Sequence, residues 1–229
     1  MTTTFPPWQV HGTPNYDAIM QARCETLLSN IRRDSELRQT IIADPRALHP
    51  DIFQRFAPSS HPEYAGTYRG TSGTSLAERE ITAERQLEPG SNFEFVRPVE
   101  VPARMGTLLD EIKQLLEDRA ADDTGRLVAL TYAFCWFGKI HPFLDGNGHI
   151  QRALFAAMAT EFGFPLSPRF AIHPRPYDRL LATALELFTC SPAGEENGEI
   201  GLVAEYLGFF LDGPFEGPRK NLLQASPYA

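Results

Sequence analysis

The run His-Pro-Phe-Leu-Asp-Gly-Asn-Gly-His-Ile-Gln-Arg, residues 141–152, holds the densest chemistry in the chain. His141 is a candidate base, and Asp145 is a hard oxygen ligand. Gly146-Asn147-Gly148 is a tight loop of small residues that feeds an apolar-patterned helix. A glycine loop at a helix start leaves backbone N–H groups free, and they point at whatever anion lies there. Arg152 follows Gly148 by about one helical turn, so its guanidinium can lean over the same anion. Base, metal ligand, anion cradle and cation together point to phosphoryl or nucleotidyl transfer.

Taken singly, each residue has a plainer use. A lone histidine is usually structural, an aspartate before a helix is often a cap, and an arginine on a helix is usually solvated. It is their company that carries the chemistry. The run also begins like a calcium loop, but Ile150 takes the place of its glycine and Ala156 that of its closing glutamate. Two further stretches imitate sites and fail. His61-Pro62-Glu63 lacks the Pro-Cys-x-x-Cys of a zinc deaminase. Gly70 to Ser75 lacks the Gly-Lys-Ser/Thr ending of a phosphate loop.

The run resembles the signature of the Fic family, His-x-Phe-x-Asp/Glu-Gly-Asn-Gly-Arg/Lys-x-x-Arg. His141, Phe143, Asp145, Gly146, Asn147, Gly148 and Arg152 match it. His149 departs, standing where the family usually has Arg or Lys. A weaker resemblance runs from about Leu48 to Leu211. It implies a mainly α-helical Fic domain with a small β-hairpin flap. It also implies a protein adenylyltransferase that moves AMP from Mg²⁺-bound ATP to a hydroxyl of a target protein. In that reading His141 takes the hydroxyl proton and Asp145 holds Mg²⁺. Gly146, Asn147, Gly148 and the residue at His149 form the nucleotide's anion hole, Arg152 binds the outer phosphates and Phe143 anchors the loop. His149 leaves two alternatives open: transfer of another nucleotidyl or phosphate-containing group, and a catalytically weak nucleotide-binding module. Phosphate-transferring members typically carry Lys at the position of Gly148, which favours a nucleotidyl product.

The elements must deliver these groups. Residues 1–56 read as an arm, with Pro6, Pro7 and Trp8 as a docking point, followed by a helical extension. Thr13-Pro14 predicts a helix start, and Tyr16, Met20, Cys24, Leu27 and Ile31 share one face. A second helix is expected over 35–43, and Pro50 opens another turn. Residues 57–212 form the predicted domain and 213–229 a tail. Within 78–96, Pro89-Gly90 and the alternation of Phe93 and Phe95 predict a hairpin, which the resemblance identifies as the flap along which a target would dock. Pro98 and Pro102 open an amphipathic helix. Leu127 to Ile140, apolar nearly all round, predicts a buried central helix that delivers His141. Ile150 to Phe162 gives the next helix. Pro176 starts another that carries Tyr177, and Ile200 to Phe210 makes the last.

Many Fic proteins restrain themselves with a helix of pattern Ser/Thr-x-x-x-Glu-Gly/Asn, whose Glu pairs with the last Arg of the motif. No segment here has both the spacing and the ending, so the expected restraint is a separate antitoxin-like partner. The net charge of −8 argues against a nucleic-acid binder that relies on a basic surface. No apolar run reaches membrane-spanning length and the N-terminus does not read as a signal peptide. Cys24, Cys135 and Cys190 lie far apart in apolar patterns, as expected of core thiols in a reducing, cytoplasmic setting, although export of an effector by another signal is compatible with this.

Overall fold

A computed structural model describes residues 6, 8, 10–118, 120–176, 179–192, 194 and 197–212. The order is α1 (Tyr16–Arg33), α2 (Ser35–Ala43), α3 (Leu48–Phe53), β1 (Thr82–Glu84), β2 (Asn92–Glu94), α4 (Val101–Glu117), α5 (Asp123–Ile140), α6 (Asn147–Glu161), α7 (Arg179–Cys190) and α8 (Asn197–Gly208). The fold is therefore mainly α, with one small antiparallel hairpin.

Helices α5 and α6 form the centre. α5 packs against α4, α6, α7 and α8, while α1 and α2 cover α6. The sequence pattern gives α6 one inner face, yet nearly its whole circumference is buried, including Gln151, Arg152, Ala153, Ala156, Ala157 and Ala159. The alanines let α1, α2 and α5 approach closely, and close packing on every side makes the helix a rigid support. Gln151 ties it to α5 by donating from Nε2 to the Phe134 carbonyl at 2.7 Å.

Several boundaries differ from the sequence reading. α1 starts at Tyr16, because Asn15 takes a left-handed conformation (φ 58°) and keeps Thr13-Pro14 in the preceding turn. α5 begins earlier than Leu127: Asp122 caps it, accepting from the Gly125 N–H at 2.8 Å. The described part of α7 runs from Arg179, and Tyr177, expected on this helix, lies outside the described residues. So does the predicted tail, 213–229. Trp8 does anchor the arm, donating from its indole to the Phe56 carbonyl at 2.9 Å. Cys24, Cys135 and Cys190 are free thiols. Among the described residues no helix is long and apolar enough to cross a membrane.

Candidate active site

The catalytic-type residues all come from the junction between α5 and α6. α5 ends at His141, which takes a left-handed backbone (φ 52°) while its N–H bonds the Phe137 carbonyl at 3.0 Å. Such a conformation is costly for a residue with a side chain and persists only where neighbours hold it. The holder is Arg69, a residue only 1% exposed. Its Nε donates to the His141 carbonyl at 2.8 Å, and Nη2 donates to those of Ile140 and Val96, both at 3.0 Å. Nη1 reaches the Arg79 carbonyl at 3.1 Å, and the Arg69 backbone N–H bonds the Pro142 carbonyl at 2.8 Å. One buried arginine thus ties the loop after α5 to both feet of the hairpin.

The imidazole of His141 bonds the Gly138 carbonyl, which fixes one ring nitrogen as the donor and leaves the other as a base. Burial, then the charge of Arg69, lower its pKa to about 3. The ring is neutral near pH 7, as a proton acceptor must be. Phe95 stacks on it, centroids 3.8 Å apart.

Between His141 and α6 the loop is braced from inside. Phe143 is fully buried and stacks on His49 at 4.0 Å. The Gly66 N–H donates to His49 Nδ1 at 3.1 Å, so its proton is on Nε2, which donates to the Asp145 carbonyl at 3.0 Å. Burial lowers this histidine to about 4, in keeping with a neutral ring. The side chain of Asn147 clamps Phe143, accepting from its N–H at 2.8 Å and donating to its carbonyl at 2.7 Å. The Asn147 amide is therefore a loop clamp, and only its backbone N–H is left to serve an anion.

That backbone N–H and the one of Gly148 bond no other group among the described residues, whereas those of His149 and Ile150 turn back to the Gly146 carbonyl. Two donors thus face outward at the start of a long helix, where the macrodipole favours an anion. Gly146 has φ 79°, and a Cβ there would come within 2.4 Å of the Phe53 ring. At Gly148 a Cβ would lie 3.0 Å from Arg152 Nη1. The guanidinium therefore lies directly over the loop, as the four-residue spacing predicts. Arg152 is 4% exposed and its Nε donates to the Ile172 carbonyl at 2.7 Å. His149 is buried as well; its Nε2 lies 3.0 Å from His173 Nδ1.

Asp145 has one carboxylate oxygen on the Gly146 N–H, and burial raises its pKa. No cluster of three or more His, Cys, Asp or Glu suited to a metal occurs among the described residues. A single hard carboxylate beside an anion cradle fits Mg²⁺ that arrives with substrate phosphates, and does not fit an all-protein metal cage.

A cleft of about 420 Å³ joins these groups, lined by His141, Asp145, Gly146 to His149 and Arg152. The hairpin forms one wall. Its register pairs Thr82 with Glu94, Ala83 with Phe93 and Glu84 with Asn92. Ile81 accepts from the Phe95 N–H and Arg85 donates to the Ser91 carbonyl, on either side of β2, so Thr82 and Glu84 turn their backbone groups to the free edge of β1. At the end of that edge the Gln86 N–H donates to the buried carboxylate of Glu186 on α7 at 2.7 Å.

The structure thus brings together every residue expected at the site. It adds Arg69, His49, His173 and Glu186, which carry no local motif in the sequence.

A model of the Fic/DOC family matches residues 40–159, more than half of the chain. No curated protein matches. Solved structures with the same fold include a Fic domain containing signaling protein from Bacteroides thetaiotaomicron, with 16% identity over 83% of this chain and 67% of that one and a TM-score of 0.57. The N-terminal Fic domain of a Bartonella effector protein (Bep) from Bartonella sp. AR 15-3 is 15% identical over 85% of this chain and 84% of that one, with a TM-score of 0.57. BepC from Bartonella tribocorum, solved with AMPPNP bound, is 13% identical over 93% and 94%, with a TM-score of 0.56.

Proposed function

Because the chain belongs to the Fic/DOC family, we propose that it is a protein adenylyltransferase, moving AMP from ATP to a hydroxyl side chain of another protein. The observation that carries this reading is the convergence of a neutral, half-buried His141, two outward N–H groups at the start of α6 and the Arg152 guanidinium on one cleft. The AMPPNP bound in the similar BepC structure supports a nucleotide as the ligand.

In this reading the triphosphate lies over Gly146 to Gly148, with its outer phosphates toward Arg152. The target hydroxyl attacks the α-phosphorus, a new O–P bond forms and the bond to diphosphate breaks. His141 takes the hydroxyl proton at its free ring nitrogen. Asp145 would hold Mg²⁺, which when bound neutralises phosphate charge. The free edge of β1, at Thr82 and Glu84, presents the target segment as an added strand. Phe95 keeps the imidazole in plane and screens it from water.

Purified protein incubated with labelled ATP, CTP, GTP and UTP tests the reading. Label incorporated from ATP, and lost in His141→Ala without a change in melting temperature, is the expected result. Incorporation from another nucleotide alone changes the donor. Transfer that persists in His141→Ala removes the base.

A further inference from the structure

The family motif expects a permanent cation where this chain has His149, and the structure shows what stands behind that histidine. His149 Nε2 is 3.0 Å from His173 Nδ1, and His173 Nε2 is 3.5 Å from an Asp17 carboxylate oxygen. His149 lines the cleft, and with Nε2 turned to His173 its remaining ring nitrogen is Nδ1. The three groups come from separate elements: Asp17 from α1, His149 from α6, and His173 from the loop between α6 and α7.

The hydrogens on this chain follow from donor rules. The Asp17 carboxylate only accepts, so at 3.5 Å it favours the form of His173 with the proton on Nε2. While His173 is neutral its Nδ1 is an acceptor, His149 must donate from Nε2, and His149 Nδ1 is left as a bare lone pair. A lone pair repels phosphate oxygen. If His173 gains a proton, its Nδ1–H becomes the donor. His149 Nε2 then accepts, and its own proton moves to Nδ1. His149 stays neutral but now offers an N–H, with a positive charge one ring behind it.

We propose that the Asp17–His173–His149 chain is a proton-recruiting substitute for the missing arginine: binding of a triphosphate draws a proton onto His173 and switches His149 into a phosphate donor. This rests on the nucleotide-donor reading above. His173 is the right holder of that proton. In the empty site burial, above all, lowers its pKa, and Arg152 and His11 add to that, while Asp17 favours its charged form. His149 is held neutral by burial and by Arg152, His173, His11 and His49. Tyr16 meets His173 edge-on at 6.1 Å and Phe53 meets His149 edge-on at 5.5 Å; both rings are uncharged here. An arriving polyphosphate offsets the repulsion from Arg152, which tips the balance toward protonation. His173 and Asp17 are therefore positioning residues, and His149 contacts the ligand.

Calorimetric titration of the full chain with each Mg²⁺–nucleoside triphosphate, in buffers of different ionisation enthalpy, reads proton uptake directly. The expected result is uptake of a proton on binding, with affinity falling by up to about tenfold per pH unit above neutrality. His149→Arg should bind without uptake and without that pH dependence. His173→Phe should bind more weakly and without uptake. Asp17→Asn, at an exposed position that cannot unfold the core, should lower the pH at which uptake occurs. Binding without proton uptake by the unsubstituted protein, or uptake that persists in His173→Phe, overturns the inference alone. Failure to bind any triphosphate overturns the donor reading, and this inference with it.

Discussion

A neutral imidazole, a held loop and a guanidinium each depend here on residues that do not line the cleft. Arg69 gives its side-chain hydrogen bonds to four backbone carbonyls, those of Arg79, Val96, Ile140 and His141. Burial lowers even its own pKa to about 10, so the site keeps a desolvated charge close to the base. Arg69→Met removes these donors and leaves buried carbonyls unpaired, at a cost of about 3 kcal/mol. Urea denaturation should show that loss. Nucleotide binding should survive in the folded fraction while transfer falls, since the His141 backbone is no longer held at positive φ. An unchanged midpoint would show that the carbonyls are satisfied in some other way. No sequence signal marks Arg69: a single arginine among Tyr64, Tyr68 and Gly70 reads as a surface residue, because its four acceptors lie far along the chain. The motif residues were legible for the opposite reason. His141, Asp145, the glycine loop and Arg152 are a few positions apart, so local helix geometry alone brings them together. His173 and Asp17 again escape notice, since only tertiary packing places them behind His149.

At the scale of elements, the central helices could be read from periodicity, and the hairpin from Pro89-Gly90 and the Phe93/Phe95 alternation. The all-round burial of α6 could not. Gln151 and Arg152 on its surface suggest a polar face, whereas the Phe134 carbonyl of α5 and the Ile172 carbonyl of the loop after α6 accept from their side chains and satisfy it. The latch between hairpin and α7 was equally hidden. Glu186 is 4% exposed, on an otherwise apolar stripe, and its carboxylate holds the Gln86 N–H. Arg85 Nε lies 3.7 Å from the same carboxylate. The latch closes one end of the free β1 edge, so it fixes how high the hairpin stands over the cleft and where an added strand must stop. Glu186→Ala should free the Gln86 amide, raising its hydrogen exchange by about tenfold or more, as expected for loss of a charge-assisted bond of about 1.5 kcal/mol or above. Glu186→Gln keeps an acceptor and should retain most of the protection. Modification of a protein target should fall in Glu186→Ala with triphosphate affinity unchanged. An unaltered exchange rate at Gln86 would dismiss the latch.

Across the whole molecule, an acidic chain gathers five of its six histidines at one site, His11, His141 and His149 lining the cleft and His49 and His173 bonded to residues that line it. The net charge is −8, yet His141, His149, His11, Arg152 and Arg175 all line it. The guanidiniums of Arg152 and Arg175 and the start of α6, rather than the neutral imidazoles, are what can attract a polyphosphate here without a basic surface elsewhere. The same gathering makes the fold sensitive to acid. His49, His141 and His149 have pKa values lowered to about 4, 3 and 2, each chiefly by burial, from an ordinary value of 6.5. In the unfolded chain these rings take up protons as pH falls through 6.5, while in the folded protein they stay neutral. The unfolded state then binds more protons, so stability is full above pH 6.5 and is lost below it, down to the folded values. Three such groups cost about 3 kcal/mol over the first pH unit below 6.5, a large share of the stability of an ordinary domain. Denaturant midpoints measured from neutral pH to about pH 5 should therefore drop steeply. His49→Gln, which can keep a side-chain donor to the Asp145 carbonyl, should make that drop shallower by about a third. A midpoint that stays level across this range would mean that the histidines are not buried and neutral as packed here, and that the base at His141 is exposed to water.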